Sequence, residues 1–421
     1  MAEPSRGAGG LRAALSTPAG PPRFLLLSSF LIPLGSFMVL PFMSVFLHER
    51  LGMGLGTVGV VLAVASLVQF SGGVLGGALA DRIGLRRTML WALAVRTAGF
   101  GCFLACLVWP PVAVVALVLT CCGAALYLPA NKAYLVHGVD EERRPVFLSA
   151  GNAALNAGMA LGPLVAGPFV LSSPGPLFLV VVVLFAVVTA GHARLPAAGG
   201  DGVPAAGAAR QGLLSGVAAL PFAANALAFY LYFHFQHFLA VYAVRRASAE
   251  FYSVVLLLCF VLVIVVQPLA SGLIRRMPYA LALAAGFTGL AAGLAVLAIG
   301  TRPALLAGGA LITLGDIVLF LKNDLEALRR SPRSDAVVFG QQRLAAGLGA
   351  CAAGVLGGQV YGLGERSGHT GWFWLLAAAQ CLLLPPLLLT LRGRTAAPGS
   401  AGDDTEGTTA PHDAHGRVPG R

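Results

Sequence analysis

Twelve apolar stretches, each near the length that crosses a bilayer, constrain this chain more than any other feature. A helix rises 1.5 Å per residue, so crossing a hydrocarbon core of about 30 Å takes about 20 mostly apolar residues. Segments of that kind occupy 23–47, 55–79, 88–108, 111–133, 146–170, 175–192, 213–243, 251–274, 279–300, 303–322, 336–362 and 371–391. Charged residues make up only 11% of the 421-residue sequence and hydrophobic ones 57%, where a soluble domain carries about 25% charge. So few charges cannot cover a water-facing surface. The expected fold class is an all-α membrane protein with the lipid bilayer as solvent.

The spacing of the segments predicts the domain plan. The widest gap, 193–212, is rich in Ala, Gly and Pro and reads as a cytoplasmic linker. It separates an N-terminal six-helix bundle, 23–192, from a C-terminal one, 213–391. Residues 1–22 and 392–421 lack apolar periodicity and read as disordered cytoplasmic ends. With both termini inside, 19 of the 28 basic residues face the cytoplasm and five face outside, the others lying in or at the ends of helices. That is the positive-inside asymmetry of an inner-membrane protein. The net charge of +11 thus reads as topology; nucleic-acid binding would need a clustered patch.

The seven cysteines all sit inside apolar stretches, without a C-x-x-C pair or zinc-ligand spacing. No metal and no cofactor are expected. No G-x-x-x-x-G-K-[ST] loop occurs, which excludes a primary pump within this chain.

The sharpest local pattern follows the second segment: Gly77-x-Leu79-Ala80-Asp81-Arg82-x-Gly84-x-Arg86-Arg87. It resembles the loop 2–3 signature of the major facilitator superfamily, with Leu85 where a basic residue is usual. The resemblance implies a cytoplasmic latch in which Asp81 meets the start of the eleventh helix near Ser334 and Asp335. In the fifth segment, Gly158, Gly162, Pro163 and Gly167 resemble the family's antiporter motif, with Ser149 and Ala166 replacing two of its glycines. This implies export by proton antiport. Leu34-Gly35 to Leu40-Pro41-Phe42 resembles the family's Gly- and Pro-containing entry helix, and Leu126 to Ala130 and Gly315-Asp316 resemble the twelve-helix drug:proton antiporter branch, although the fourth segment lacks that branch's R-x-x-q-G arginine. The halves also echo each other. Leu269-Ala-Ser-Gly-Leu-Ile-Arg-Arg276 repeats the loop pattern, and Gly347 to Gly358 repeats the glycines of the fifth segment. Internal repeats around a midplane site are common among secondary transporters.

Charge inside a membrane helix costs roughly 2.5–3.5 kcal/mol on insertion scales, so each instance needs a reason. Asp316 is the best-placed carboxylate and the first candidate for proton coupling. Arg343, at similar depth in the next helix, is a substrate-cavity candidate, as are Tyr230 and Gln236; a fixed Asp316–Arg343 ion pair at the inner gate is the alternative. Arg96, about 13 Å beyond Arg87 along its helix, is a cavity candidate for an anionic group or a structural cation. Tyr230, His234 and His237 share one face at i, i+4, i+7, with Gln236 beside it. Histidine titrates near physiological pH, which makes His234 and His237 further proton-coupling candidates; an aromatic interface belt is the other reading. Tyr127, Asn156, Gln341 and Gln342 are candidate hydrogen-bonders of the cavity.

These features predict a secondary transporter, not an enzyme, that exports an amphipathic drug or secondary metabolite in exchange for protons. It is expected to be a monomer. A nutrient uniporter or symporter of the same fold is the alternative, disfavoured by the scarcity of charged ligands in the core. A multi-span membrane enzyme would need polar loops with carboxylate or histidine clusters, and the loops here are short.

Overall fold

The computed structural model describes residues 21–137, 139, 144–196, 215–333 and 335–395. Most of the predicted N-terminal and C-terminal tails and of the 193–212 linker fall outside these; residues 21–22 and 392–395, expected in the tails, belong to the first and last helices. The described residues form twelve long helical segments and no strand. They are α1 (Pro21–Phe37, prolonged by short turns to Arg50), α2 (Leu55–Ile83), α3 (Leu85–Ala105), α4 (Val112–Leu135), α5 (Arg144–Ala166) and α6 (Pro174–His192). Then follow α7 (Ala219–Arg246), α8 (Ala249–Arg276), α9 (Tyr279–Leu297), α10 (Arg302–Arg330), α11 (Asp335–Arg366) and α12 (Gly371–Thr395). Eleven segments are long and apolar enough to cross a membrane. The other is α5, in which Asn152, Asn156 and small residues take the place of branched aliphatics.

Local chemistry sets the breaks. In α1, Pro41 lacks an N–H and opens a 3-10 turn at Leu40–Phe42. The Pro41 carbonyl accepts a hydrogen bond from Tyr252 of α8 at 3.1 Å. The α2–α3 turn pivots on Gly84 at φ +88°, a left-handed conformation that side-chain-bearing residues avoid. The turn predicted from the loop 2–3 pattern is therefore present.

The bundle has two ends, a basic face and an opposite face. The basic face carries the α2–α3 turn with Arg82, Arg86 and Arg87; the opposite face carries the α1–α2 and α7–α8 turns. Near the opposite face, α2 lies backbone to backbone on α11. A Cβ built on Gly59 would come within 2.7 Å of the Gly358 Cα, and one on Gly354 within 2.8 Å of the Ala63 Cβ. Towards the basic face α2 instead leans on α4, where a Cβ on Gly76 would meet the Leu126 Cα at 2.9 Å.

The fifth helix behaves in the same way. Gly162 faces α1, where a Cβ would meet the Leu34 carbonyl at 2.6 Å; Gly167 faces α8, where it would meet Ser253 Oγ at 2.6 Å. Ser253 in turn donates to the Pro163 carbonyl at 2.7 Å. In the second set of helices, Gly349 of α11 faces α7, 2.8 Å from the Tyr230 nitrogen by the same construction, while Gly354 and Gly358 face α2. Thus α5 sits between α1 and α8 as α11 sits between α7 and α2. Overpacking such a contact costs about 1–3 kcal/mol. Gly358→Leu is expected to lower the melting temperature of the purified protein, while Gly101→Leu, which points into open space, leaves it unchanged.

Candidate functional site

Because α2 leans away from α11 towards the basic face, the two sets of helices enclose a cavity of 520 Å³ there. Lys132, in the last turn of α4, supplies a cation from the first set. Asp324 of α10 and Arg343 of α11 bring one charge of each sign from the second, with Asn225, Phe229, Phe320, Phe339, Gln342 and Ala346 completing the wall. Asp324 and Arg343 feel each other electrostatically, yet among the described residues none of the three charged groups forms an ion pair.

Aromatic rings pack beside the cavity. Phe229 stacks on Phe320 at 4.4 Å between centroids and meets Phe70 of α2 edge-on at 5.5 Å. Phe70 also meets Phe233 at 5.7 Å, and the Arg343 guanidinium lies 5.7 Å above the Phe70 ring. Offset and edge-on ring pairs, and a cation over a ring face, are favourable contacts.

The opposite face is sealed by a cluster of charges from both sets of helices. Arg245, in the last turn of α7, contacts Glu49 at the end of α1 and Glu365 near the end of α11. His48 donates through Nδ1 to the Met53 carbonyl at 2.8 Å. Its Nε2 lies 2.8 Å from Arg245 Nη2 and 3.1 Å from Glu365 Oε1. One guanidinium thereby ties three helix ends together, in the fork geometry that suits arginine to carboxylates.

Asp316 is buried in α10, 6% exposed. Tyr232 and Cys259 are the titratable side chains within its electrostatic reach. It is not paired with Arg343, whose carboxylate neighbour is Asp324, eight residues and about 12 Å further along α10. The ion-pair alternative from the sequence is thereby corrected: an eight-residue offset turns and shifts the acid that meets Arg343.

The shared face of α7 is buried, but its members reach different partners. Tyr230 donates to Gln380 of α12 at 2.6 Å, and His234 donates from Nδ1 to the Tyr230 carbonyl at 2.8 Å and packs on Phe373. Only His237 reaches the first set of helices, its Nε2 3.1 Å from Ser66 Oγ of α2. Gln236 is partly buried beside it.

Arg96 and Tyr127 lie inside the first set of helices. Arg96 donates to Ser36 at 2.6 Å and lies 5.3 Å over the Phe185 ring. The Tyr127 hydroxyl is 3.0 Å from His192 Nε2 and 3.1 Å from Asn131 Oδ1. Asn156 donates to the Asn152 carbonyl one turn earlier, at 2.9 Å. None of these three lines the basic-face cavity. Gln342 does line it, whereas Gln341 donates to the Ser215 carbonyl at 3.2 Å.

Of the latch residues, Arg86 donates to the Ala193 carbonyl after α6, while Arg82 and Arg87 are exposed. The side chains of Asp81 and Asp335, with Gly77 and Ser334, lie outside what is described. Lys322 is taken up structurally, capping the end of α8 through the carbonyls of Arg275, at 3.1 Å, and Met277.

Four charged groups of the cavity and of the ion cluster went unseen in the sequence: Asp324, Glu49, Arg245 and Glu365. Their charge was visible, but their partners lie up to 317 residues away. Among the described residues no group of three or more His, Cys, Asp and Glu side chains could hold a metal.

Residues 25–323 match the family model described as Major Facilitator Superfamily. The multidrug resistance protein MdtH of Cronobacter sakazakii is 34% identical over 142 residues, covering 34% of this chain and 35% of that protein. An MFS-type transporter of Mycobacterium tuberculosis is 32% identical over 145 residues, covering 34% of each chain. The alignments thus span about a third of the length of these curated relatives.

Among solved structures, the POT family transporter PepTSo superposes with a TM-score of 0.72 at 13% identity, over 90% of this chain and 99% of its own. The nucleoside transporter NupG gives 0.70 at 15% identity, over 88% and 98%. At such identities the likeness concerns the fold. With the family match over most of the chain, the conclusion is that this multi-pass membrane protein belongs to the Major Facilitator Superfamily of transporters.

Proposed function

We propose that the protein exports an amphipathic small molecule by proton antiport, through alternating access between 23–192 and 213–391. The observation that carries this reading is a cavity at the seam of the two sets of helices, open to the basic face while an ion cluster closes the opposite face. The arginine asymmetry supports placing the basic face in the cytoplasm of a bacterial inner membrane, where the protein would load its cargo. The similarity to a multidrug resistance protein supports export, and the aromatic lining suits an apolar body. Asp316 is the proposed proton carrier, with His237 as the second group at the seam. Coupling requires that the proton bind more tightly in one orientation than in the other.

The test is accumulation of labelled amphipathic compounds in inverted vesicles, with and without an imposed pH gradient. Accumulation that collapses with the gradient is expected. Movement indifferent to the gradient contradicts antiport and favours a uniporter. Asp81→Ala is expected to slow transport at least threefold while leaving substrate binding unchanged; an unaltered rate contradicts the latch.

A further inference from the structure

We infer that the cargo is an organic anion: a flat, apolar or aromatic body bearing one acidic group and a separate hydroxyl or N–H donor. This rests on the reading of the basic-face cavity as the loading site. Four observations carry it. First, Lys132 and Arg343 face the cavity from opposite sets of helices, and among the described residues that line it Asp324 is the one counter-charge, which leaves this lining net positive. Such a site attracts an anion and repels a cation.

Second, neither cation is engaged in an ion pair among the described residues. An arriving carboxylate or sulfonate would therefore meet free donors, and charge-assisted hydrogen bonds are the stronger kind. Third, Gln342 is 5% exposed, lines the same cavity, and its Oε1 has no hydrogen-bond partner. Its backbone is held at the cavity wall, because Asn225, another lining residue, donates to the Gln342 carbonyl at 2.9 Å. A buried acceptor without a donor is costly, and a ligand hydroxyl or N–H would satisfy it. Fourth, the stacked Phe229 and Phe320 rings form a planar apolar wall beside these groups.

The charge of the cargo has a consequence for energetics. Exchange of one entering proton for one departing monoanion moves two net positive charges inward per cycle. Exchange for a monocation moves none. An anion exporter of this kind responds to membrane potential even at equal pH. Because Lys132 and Arg343 belong to opposite sets of helices, one bound anion also draws the two sets together at the basic face, which is the motion that closes it.

Four probes of matched shape separate the possibilities: 6-hydroxy-2-naphthoate, 2-naphthoate, 2-naphthol and 2-naphthylmethylammonium, titrated against the full-length purified protein. The naphthoate is expected to bind at least tenfold more tightly than the ammonium. Arg343→Gln and Lys132→Gln are each expected to weaken naphthoate binding about tenfold, the usual effect of losing a charged hydrogen-bond donor. Arg343→Lys retains most of the affinity, and Asp324→Asn strengthens it. Gln342→Leu is expected to erase the advantage of 6-hydroxy-2-naphthoate over plain 2-naphthoate.

Ammonium binding as tight as naphthoate binding, no binding of any probe, or naphthoate binding indifferent to Arg343→Gln each overturns the inference. In inverted vesicles at equal pH, a lumen-positive potential is expected to drive naphthoate uptake. Transport that follows the pH gradient but ignores the potential overturns the anion and leaves proton-driven export standing. Naphthoate binding as described, without gradient-driven transport, overturns the export reading and leaves the anion site standing.

Discussion

Asp316→Asn is expected to reduce pH-gradient-driven accumulation at least tenfold, to the level seen without a gradient, while leaving insertion and fold intact. The substitution keeps the size and shape of the side chain and removes only its capacity to take and give up a proton. Asp316 is buried in α10 among Tyr232 and Cys259, and among the described residues it has no ion-pair partner. A charge at such a depth costs roughly 2.5–3.5 kcal/mol on insertion scales, and in the proposed antiport cycle release of a proton and its recapture would be the use that offsets this cost. Asp324 provides the control. It faces the open cavity beside Arg343, so Asp324→Asn is expected to alter ligand affinity and to preserve gradient dependence. Gradient-driven transport at the normal rate by Asp316→Asn removes Asp316 from the cycle, and loss of coupling in Asp324→Asn instead makes Asp324 the carrier.

The second large effect concerns the opposite face. Arg245→Ala removes the side chain that contacts both Glu49 and Glu365, leaving the ends of α1, α7 and α11 without their common tie. Partly exposed ion pairs contribute at most about 1 kcal/mol each, so the fold survives the change. The conformational balance is more sensitive. Losing about 1–2 kcal/mol from one of two states shifts their ratio about 5- to 30-fold. Reactivity of a cysteine introduced at Ser66, at the seam beside His237, towards an impermeant thiol reagent added at the opposite face is expected to rise by that factor. Arg245→Lys, which keeps the charge without the fork, is expected to fall between. Unchanged reactivity in Arg245→Ala would mean that the glycine contacts alone, Gly59 with Gly358 and Gly167 with Ser253, hold this end shut.

What was legible in the sequence were features carried by contiguous residues. Segment length and apolar content located eleven helices long and apolar enough to cross a membrane, because the bilayer thickness sets that length. The Gly84 turn followed from one residue type at one position. The glycines of α5 and α11 announced close packing, and the structure supplies the partners: α1 and α8 for one, α7 and α2 for the other.

What was not legible was helix rotation and pairing over long separations. Tyr230, His234 and His237 share a face by periodicity, but which neighbour each meets depends on how α7 is set against α11, α12 and α2. Asp316 and Arg343 were plausible partners by depth alone, and the register of α10 against α11 gave Arg343 to Asp324 instead. Arg96 has the depth of a cavity residue, but the rotation of α3 points it at Ser36 and Phe185, inside the first set of helices. The ion cluster of His48, Glu49, Arg245 and Glu365 joins segments far apart in sequence, each unremarkable as a helix end by itself.

The central claim is alternating access, and the most direct measurement is a pair of distances recorded together. Spin labels at introduced cysteines replacing Ala133 of α4 and Arg329 of α10 report the basic face, and labels replacing Thr57 of α2 and Ser367 after α11 report the opposite face. The native cysteines are replaced in both cases, and distances are recorded with and without bound probe and across a pH series. The account predicts populations that move in opposition: as the Ala133–Arg329 distance shortens, the Thr57–Ser367 distance lengthens, and Arg245→Ala biases the balance towards the second arrangement without any ligand. Distances that stay fixed under all conditions, or that lengthen at both faces together, contradict it.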